Sequence, residues 1–262
     1  LCYNQLKQYD QAFEYHKKSA AIADTVTSEN IDTIVPVYRN LGIAYYNRKL
    51  YKECIEPFKK FIALKKLPKA KATPEKVKEC RQYLWNAYDA LASQCRGKAA
   101  YDEAALWANC MSEVCREGLG VDSPEMGGTY AQLALISEGK GNINEALEHY
   151  QQAIDKYSPY ANRFPQRLYS IHRFMAELYE KRGQPAEAVN HYTEAIRHLE
   201  TQDNKTDLPL MYNQLGMVYG RNGQFKESLP YLAKALELAK KEYNDDAYDK
   251  RLYSLYYNVG YT

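Results

Sequence analysis

The sequence predicts an all-α array of antiparallel helix pairs, and three observations carry that prediction. First, the segments "GNINEALEHYQQAI" (141–154), "GQPAEAVNHYTEAI" (183–196) and "GQFKESLPYLAKAL" (223–236) are variants of one pattern. Second, one small residue follows another at a constant spacing of 12, as Gly42 and Cys54, Ala92 and Ala104, Ala134 and Ala146, Ala176 and Ala188, and Gly216 and Ser228. Third, apolar residues recur at three and four, as Tyr212, Leu215, Val218 and Tyr219 do, and no two-residue alternation is found.

From Ala12 through Cys54, Ala104, Ala146, Ala188 and Ser228 the outer spacings are 42, 50, 42, 42 and 40. A fixed inner spacing within variable outer ones describes a rigid two-helix unit on adjustable connectors. The small residues let the two helices of a unit approach, and Tyr150, Tyr192 and Leu232 fill the space beside them.

Taken in order, helices are predicted near 9–25, 32–48, 51–66, 75–96, 101–117 and 124–140. The series continues near 143–157, 165–182, 185–200, 207–222, 225–242 and 246–261. Connectors collect the breakers, in "LPKAKATPE", "GLGVDSPEMGG", "YSPYANRFPQR" and "TQDNKTDLP". Thr73-Pro74, Ser123-Pro124 and Gln184-Pro185 read as helix starts, a capping residue followed by Pro at the first helical position. Gly141, Gly183 and Gly223 mark turns inside the pairs. Leu1 falls inside a first helix and "YYNVG" at 256–260 begins another repeat, so this stretch is expected to be part of a longer protein.

Composition narrows the function. With 35 Lys+Arg against 33 Asp+Glu, the chain shows no general affinity for nucleic acid or an anionic membrane. No run of about 18 apolar residues spans a bilayer. The six cysteines, Cys2, Cys54, Cys80, Cys95, Cys110 and Cys115, form no C-x-x-C pair, which argues against a thiolate zinc site. Scattered like this they suit reduced, buried thiols and a cytoplasmic setting.

The residues Tyr38, Leu41, Gly42, Tyr45 and Phe58 carry a recognisable pattern. It returns as Met175, Ala176, Tyr179, Ala188, Tyr192 and Ala195, and as Leu215, Gly216, Tyr219, Ser228, Leu232 and Ala235. In these positions the chain resembles the tetratricopeptide repeat family. Its period of mostly 42 exceeds the usual 34 or so. Long repeats of this kind are similar to those of kinesin light chain and of bacterial regulators. "VCREGLGVDSPEMGGTYAQLA" is similar to the kinesin light chain connector.

The resemblance implies one right-handed superhelical solenoid over 1–262. Its repeats would fall near 1–27, 28–68, 69–120, 121–162, 163–204 and 205–245, with a partial one at 246–262. It also implies a concave face, lined by the first helix of each pair, that takes an extended peptide or partner protein without catalysis.

Helical spacing from the Leu-Gly step places Arg39, Asn40 and Asn47 on that face, then Asp89 and Arg96, Gln132 and Glu138, and Arg173 and Lys181. Asn213, Gln214 and Arg221 follow, and then Asn258. Amides can grip a peptide backbone and Arg can clamp carboxylates, and the basic excess among these residues leans toward an acidic ligand. No Lys-Asn-Asn-Lys-Arg set of the co-chaperone type is present.

The setting implied is the sensory or regulatory part of a larger signalling protein. The alternative is a structural assembly component that binds through array ends and convex face.

No cofactor, metal or enzymatic motif is predicted. His149 and His191 share a slot in successive repeats, which is what repeated packing gives, and His16, His172 and His198 are read as structural too. Tyr45, Tyr179, Tyr192 and Tyr219 sit at core positions. The additional tyrosines of "YNRKLY", "KYSPYANRF" and "RLYSLYYN" fit either interface anchors or ordinary helix surface.

Overall fold

The computed structural model describes residues 9–25, 31–64, 72–242 and 250–261. Among them are twelve α-helices and no strand. The helices divide between two compact units, 1–142 and 143–262. Cys2, Leu6, residues 67–71 at the start of the "LPKAKATPE" insert and the predicted residues 246–249 lie outside the described residues.

Unit 1 holds α1 (Tyr9–Ala23), α2 (Ile31–Asn47), α3 (Tyr51–Leu64), α4 (Pro74–Gly97), α5 (Tyr101–Val114) and α6 (Pro124–Gly139). A π turn, Cys115–Leu119, closes α5. Unit 2 holds α7 (Ile143–Tyr157), α8 (Pro165–Lys181), α9 (Pro185–Glu200), α10 (Leu208–Arg221), α11 (Phe225–Glu242) and α12 (Lys250–Tyr261).

Helices start where the capping chemistry is present. Thr73 and Ser123 are extended, and their hydroxyls accept from the Lys76 and Met126 amides at 3.4 and 3.3 Å. Gln184 departs from the sequence expectation. It makes no side-chain cap, and α9 begins on Pro185 alone, whose fixed φ suits the first helical position.

The 12-residue spacing has a direct structural meaning. Ser228 Oγ donates to the Gly216 carbonyl at 2.7 Å, so these small residues touch across the α10–α11 pair. A Cβ on Gly216 would fall 2.7 Å from the Leu232 side chain, and one on Gly42 would fall 2.7 Å from the Phe58 ring. Cys54, Ala92, Ala104, Ala134, Ala146, Ala176, Ala188 and Ser228 are fully buried. Within unit 1 the α2–α3 and α4–α5 pairs, and within unit 2 the α8–α9 and α10–α11 pairs, close around their small residues.

Large side chains fill the remainder. In unit 1 the core gathers Phe58, Phe61, Leu84, Trp85, Tyr88 and Met111. In unit 2 it gathers Tyr169, Ala188, Tyr192, Leu199, Met211 and Leu215. Tyr192 is buried, as its core position predicts, while Tyr45, Tyr179 and Tyr219 are half-buried against the core. Cys54, Cys80, Cys95 and Cys115 are buried free thiols and Cys110 is partly exposed. Burial pushes Cys54 and Cys80 up to about 12, which leaves them inert small hydrophobes. No described helix is long and apolar enough to cross a membrane.

Candidate functional site

The first helices of the pairs are α2, α4 and α6 in unit 1, and α8, α10 and α12 in unit 2. In each unit, polar side chains from neighbouring first helices meet. Arg39 Nη2 donates from α2 to both carboxylate oxygens of Glu79 on α4, at 2.6 and 2.9 Å. Gln132 Nε2 donates from α6 to Asp89 and Ser93 on α4, at 2.6 and 2.9 Å. In unit 2, Arg221 on α10 reaches Glu180 on α8 at 2.7 Å, and Asn258 Nδ2 on α12 donates to Asn213 Oδ1 on α10 at 2.9 Å. Each of these contacts joins the first helices of adjacent repeats within one unit.

Apart from the acidic Asp89 and Glu138, the eleven residues singled out by sequence separate into kinds. Arg39, Gln132, Asn213, Arg221 and Asn258 bridge adjacent first helices. Arg173 pairs along its own helix with Glu177 at 2.7 Å and lies over the Phe174 ring at 4.5 Å. Asn40, Asn47 and Lys181 are exposed, and Gln214 and Arg96 are partly exposed. Three of the five cations therefore already face a carboxylate, which weakens the basic lean read from the sequence.

Sequence reasoning missed Glu79, Ser93, Glu177 and Glu180. Glu79 lies ten residues before Asp89, and Glu177 and Glu180 fall four and seven after Arg173, so the acidic partners show themselves only through packing. Glu180 accepts from Arg221 and also from the buried Tyr192 hydroxyl at 2.7 Å. Burial and that carboxylate raise Tyr192 well above the ordinary phenol range. Tyr38 is pushed up to about 12 by burial and by donation to Asp24 at 2.6 Å.

Three buried polar atoms on the first helices of unit 1 have no internal hydrogen-bond partner: Arg39 Nε, Arg96 Nε and Gln132 Oε1. Two can donate and one can accept, which matches the alternation of a peptide backbone. Among the additional tyrosines, Tyr46 packs against Tyr51 and Tyr83, and Tyr157 is buried. Tyr160, Tyr253, Tyr256 and Tyr257 are exposed.

Comparisons with known proteins place these helix pairs. Profiles of the tetratricopeptide repeat match residues 128–155, 171–206 and 210–246. The crystal structure of BtubC (BKLC) from P. vanneervenii is 15% identical, with a TM-score of 0.55 over 89% of this chain and 92% of that one. The apo form of RapI is 11% identical, with a TM-score of 0.56 over 98% of this chain and 70% of that one. A Signal Transduction ATPase with Numerous Domains (STAND) protein from Pyrococcus horikoshii, with a tetratricopeptide repeat sensor, is 16% identical. Its TM-score is 0.51 over 87% of this chain and 32% of that one. No match is found among the curated proteins.

At these identities the solved structures speak to the fold, and they agree with the helix pairs described above. Repeats of this kind build scaffolds for protein–protein interaction. With small residues 12 apart buried in its helix pairs and three of its repeats matched in series, the chain carries tetratricopeptide repeats over residues 128–155, 171–206 and 210–246.

Proposed function

We propose that this chain is a non-catalytic interaction scaffold that holds an extended, polar peptide segment of a partner protein along the face lined by its first helices. The observation that carries the reading is the set of unmet polar atoms on that face, Arg39 Nε, Arg96 Nε and Gln132 Oε1. A buried polar atom without a partner costs about 1–3 kcal/mol, so a ligand that meets it recovers part of that cost.

The exposed amides Asn40 and Asn47 extend the first-helix face of unit 1, and the partly exposed Gln214 offers a like group in unit 2, each able both to donate and to accept. Peptide carboxylates would compete with Glu79, Glu177 and Glu180 for Arg39, Arg173 and Arg221. That competition favours a mildly acidic segment over a strongly acidic one. The scaffold would serve the sensory or regulatory part of a larger signalling protein. Its free thiols suit a reducing compartment such as the cytoplasm.

A displayed library of random peptides, selected against the full chain, tests this. Selected peptides should be polar and extended, with modest enrichment of Asp and Glu. Arg96→Ala with Gln132→Ala, and separately Arg173→Ala with Asn213→Ala, should each weaken the selected peptides about tenfold. The first pair also removes the Gln132 bonds to Asp89 and Ser93 and should lower Tm, whereas the second should move it less. Affinity unchanged in both double variants would refute the assignment of this face.

A further inference from the structure

One repeat departs from its siblings in two slots, and the departures meet. Four residues before the small residue of the first helix, the other repeats carry Tyr38, Tyr88, Tyr130 and Tyr212, whereas the repeat at 163–204 carries His172. Ten residues after the small residue of the second helix, the others carry Leu64, Val114, Lys156 and Leu238, whereas this one carries His198. Simple repetition of a packing motif does not produce two coincident exceptions.

The fold brings them together. His172 lies on α8 and His198 on α9, both nearly fully buried, with ring centroids 5.6 Å apart. His191, Glu194 and His198 follow one another along α9 at three and four, so they share a helix face. His172 Nδ1 is 3.0 Å from His191 Nδ1. One donor atom each from His172, Glu194 and His198 lie within 4.8 Å of one another.

His149 occupies the slot of His191 one repeat earlier and shows the contrast. Its Nδ1 meets the exposed Gln152 at 3.2 Å, an ordinary surface pairing. Burying two imidazoles side by side costs free energy unless something uses their nitrogens.

We propose that His172, Glu194 and His198 form a binding site for a divalent first-row transition metal ion of the zinc class. Two imidazole nitrogens and one carboxylate oxygen suit Zn²⁺, Co²⁺ or Ni²⁺, whereas Ca²⁺ and Mg²⁺ want oxygen ligands throughout. Tetrahedral bonds of about 2.0–2.2 Å put donors roughly 3.4 Å apart, so the set must close by about 1 Å. Glu194, the most flexible of the three, takes most of that movement.

Arg197 now stands beside these donors. Its Nη2 lies 2.6 Å from Glu194 Oε2 and 3.3 Å from His198 Nε2. Its side chain is 61% exposed and can swing into solvent as the metal cation replaces it. A bound ion would join α8 to α9, with a fourth position left for water or a partner's side chain.

The test is titration of the tag-free full chain, stripped with chelator, with Zn²⁺ by calorimetry and Co²⁺ by visible absorption. One equivalent should bind, with the intense visible bands of low-coordinate cobalt. His172→Gln and His198→Gln should each weaken binding at least about tenfold, and His149→Gln should leave it unchanged. Arg197→Gln should tighten it severalfold by removing the competing cation. No saturable binding, or equal binding in the two histidine variants, overturns the proposal. Should a histidine variant not fold, Arg197→Gln decides, since its side chain is mostly exposed. Tighter binding supports the site and unchanged binding overturns it.

Discussion

Unit 1 turns between the helices of its α2–α3 and α4–α5 pairs at Lys49 and Ala99, whereas unit 2 turns between α8 and α9 and between α10 and α11 at Gly183 and Gly223. All four residues are left-handed, with φ of 60, 57, 67 and 76°. The closing hydrogen bond is the same in each. Leu50 donates to Tyr45 at 3.1 Å, Ala100 to Cys95, Gln184 to Tyr179 and Gln224 to Tyr219, the last three at 2.9 Å. Glycine favours this turn but does not create it. Contact between the paired helices imposes the geometry, and unit 1 tolerates a Cβ where the conformation costs about 1–2 kcal/mol.

The cores differ in the same spirit. Unit 1 stacks Phe58 on Tyr83 and Tyr88 on Trp107, and hides three fully buried thiols. Its Trp85 Nε1 donates to Thr129 across α4 and α6 at 3.0 Å. Unit 2 is built of Ala, Leu and Tyr at regular positions, and its irregularity is the buried histidine group. One architecture therefore accepts two fillings, provided the small residues at the crossing are kept.

The largest expected divergence between the units is in acid. Burial, and then His191 and His198, lower His172 from 6.5 to about 3. Glu194 opposes that shift and Arg197 reinforces it. Between those two values the unfolded chain takes a proton that the folded chain refuses. Stability due to His172 is thus full above pH 6.5 and is lost as pH falls toward 3. The loss should reach about 3 kcal/mol by about pH 4. Hydrogen exchange in chelator, corrected for intrinsic rates, should show α8–α9 losing protection faster than α4–α5. His172→Tyr, the residue of the sibling repeats, should shrink the difference, leaving the smaller part due to His191 and His198, which burial also lowers. Equal losses in both units of the unmodified chain would count against a buried neutral imidazole.

Next in size is overfilling the crossing. Ala188→Leu in unit 2 and Ala104→Leu in unit 1 each place a large side chain at a fully buried site facing another small residue. Each should cost about 1–3 kcal/mol in denaturant unfolding. Similar costs would show that the crossing is equally tight in both units. A tolerated substitution in one would show that its pair can spread.

These sites were legible because a requirement for smallness recurs with the repeat, and a sequence displays recurrence openly. Helix ranges from 124 to 242 could be read to within a residue for the same reason. The groove was half-legible. Helical spacing singled out Arg39, Gln132 and Arg221, but their partners Glu79, Asp89 and Glu180 are 40, 43 and 41 residues away. Only packing shows that the two arginines and the glutamine already have partners. The histidine group was hidden differently. His191 matches its sibling His149, and that regularity drew attention from His172 and His198, whose meaning lies in not matching.

The smallest effect bears most directly on the turns. Nothing lies within 4 Å of a Cβ built on Gly183, so Gly183→Ala adds left-handed strain without a clash. It should destabilise unit 2 by about 1 kcal/mol. Ala99→Gly removes the same strain from unit 1, and the greater freedom of glycine in the unfolded chain offsets part of the gain. A net stabilisation of about 0.5 kcal/mol is expected. Thermal unfolding of the two single variants and the double tests the pair. If helix contact imposes the turn, the two changes act separately and the double variant lies near their sum. If Ala99→Gly instead loosens unit 1, its Cβ must be packing against the pair, and left-handed strain is not what separates the two kinds of turn.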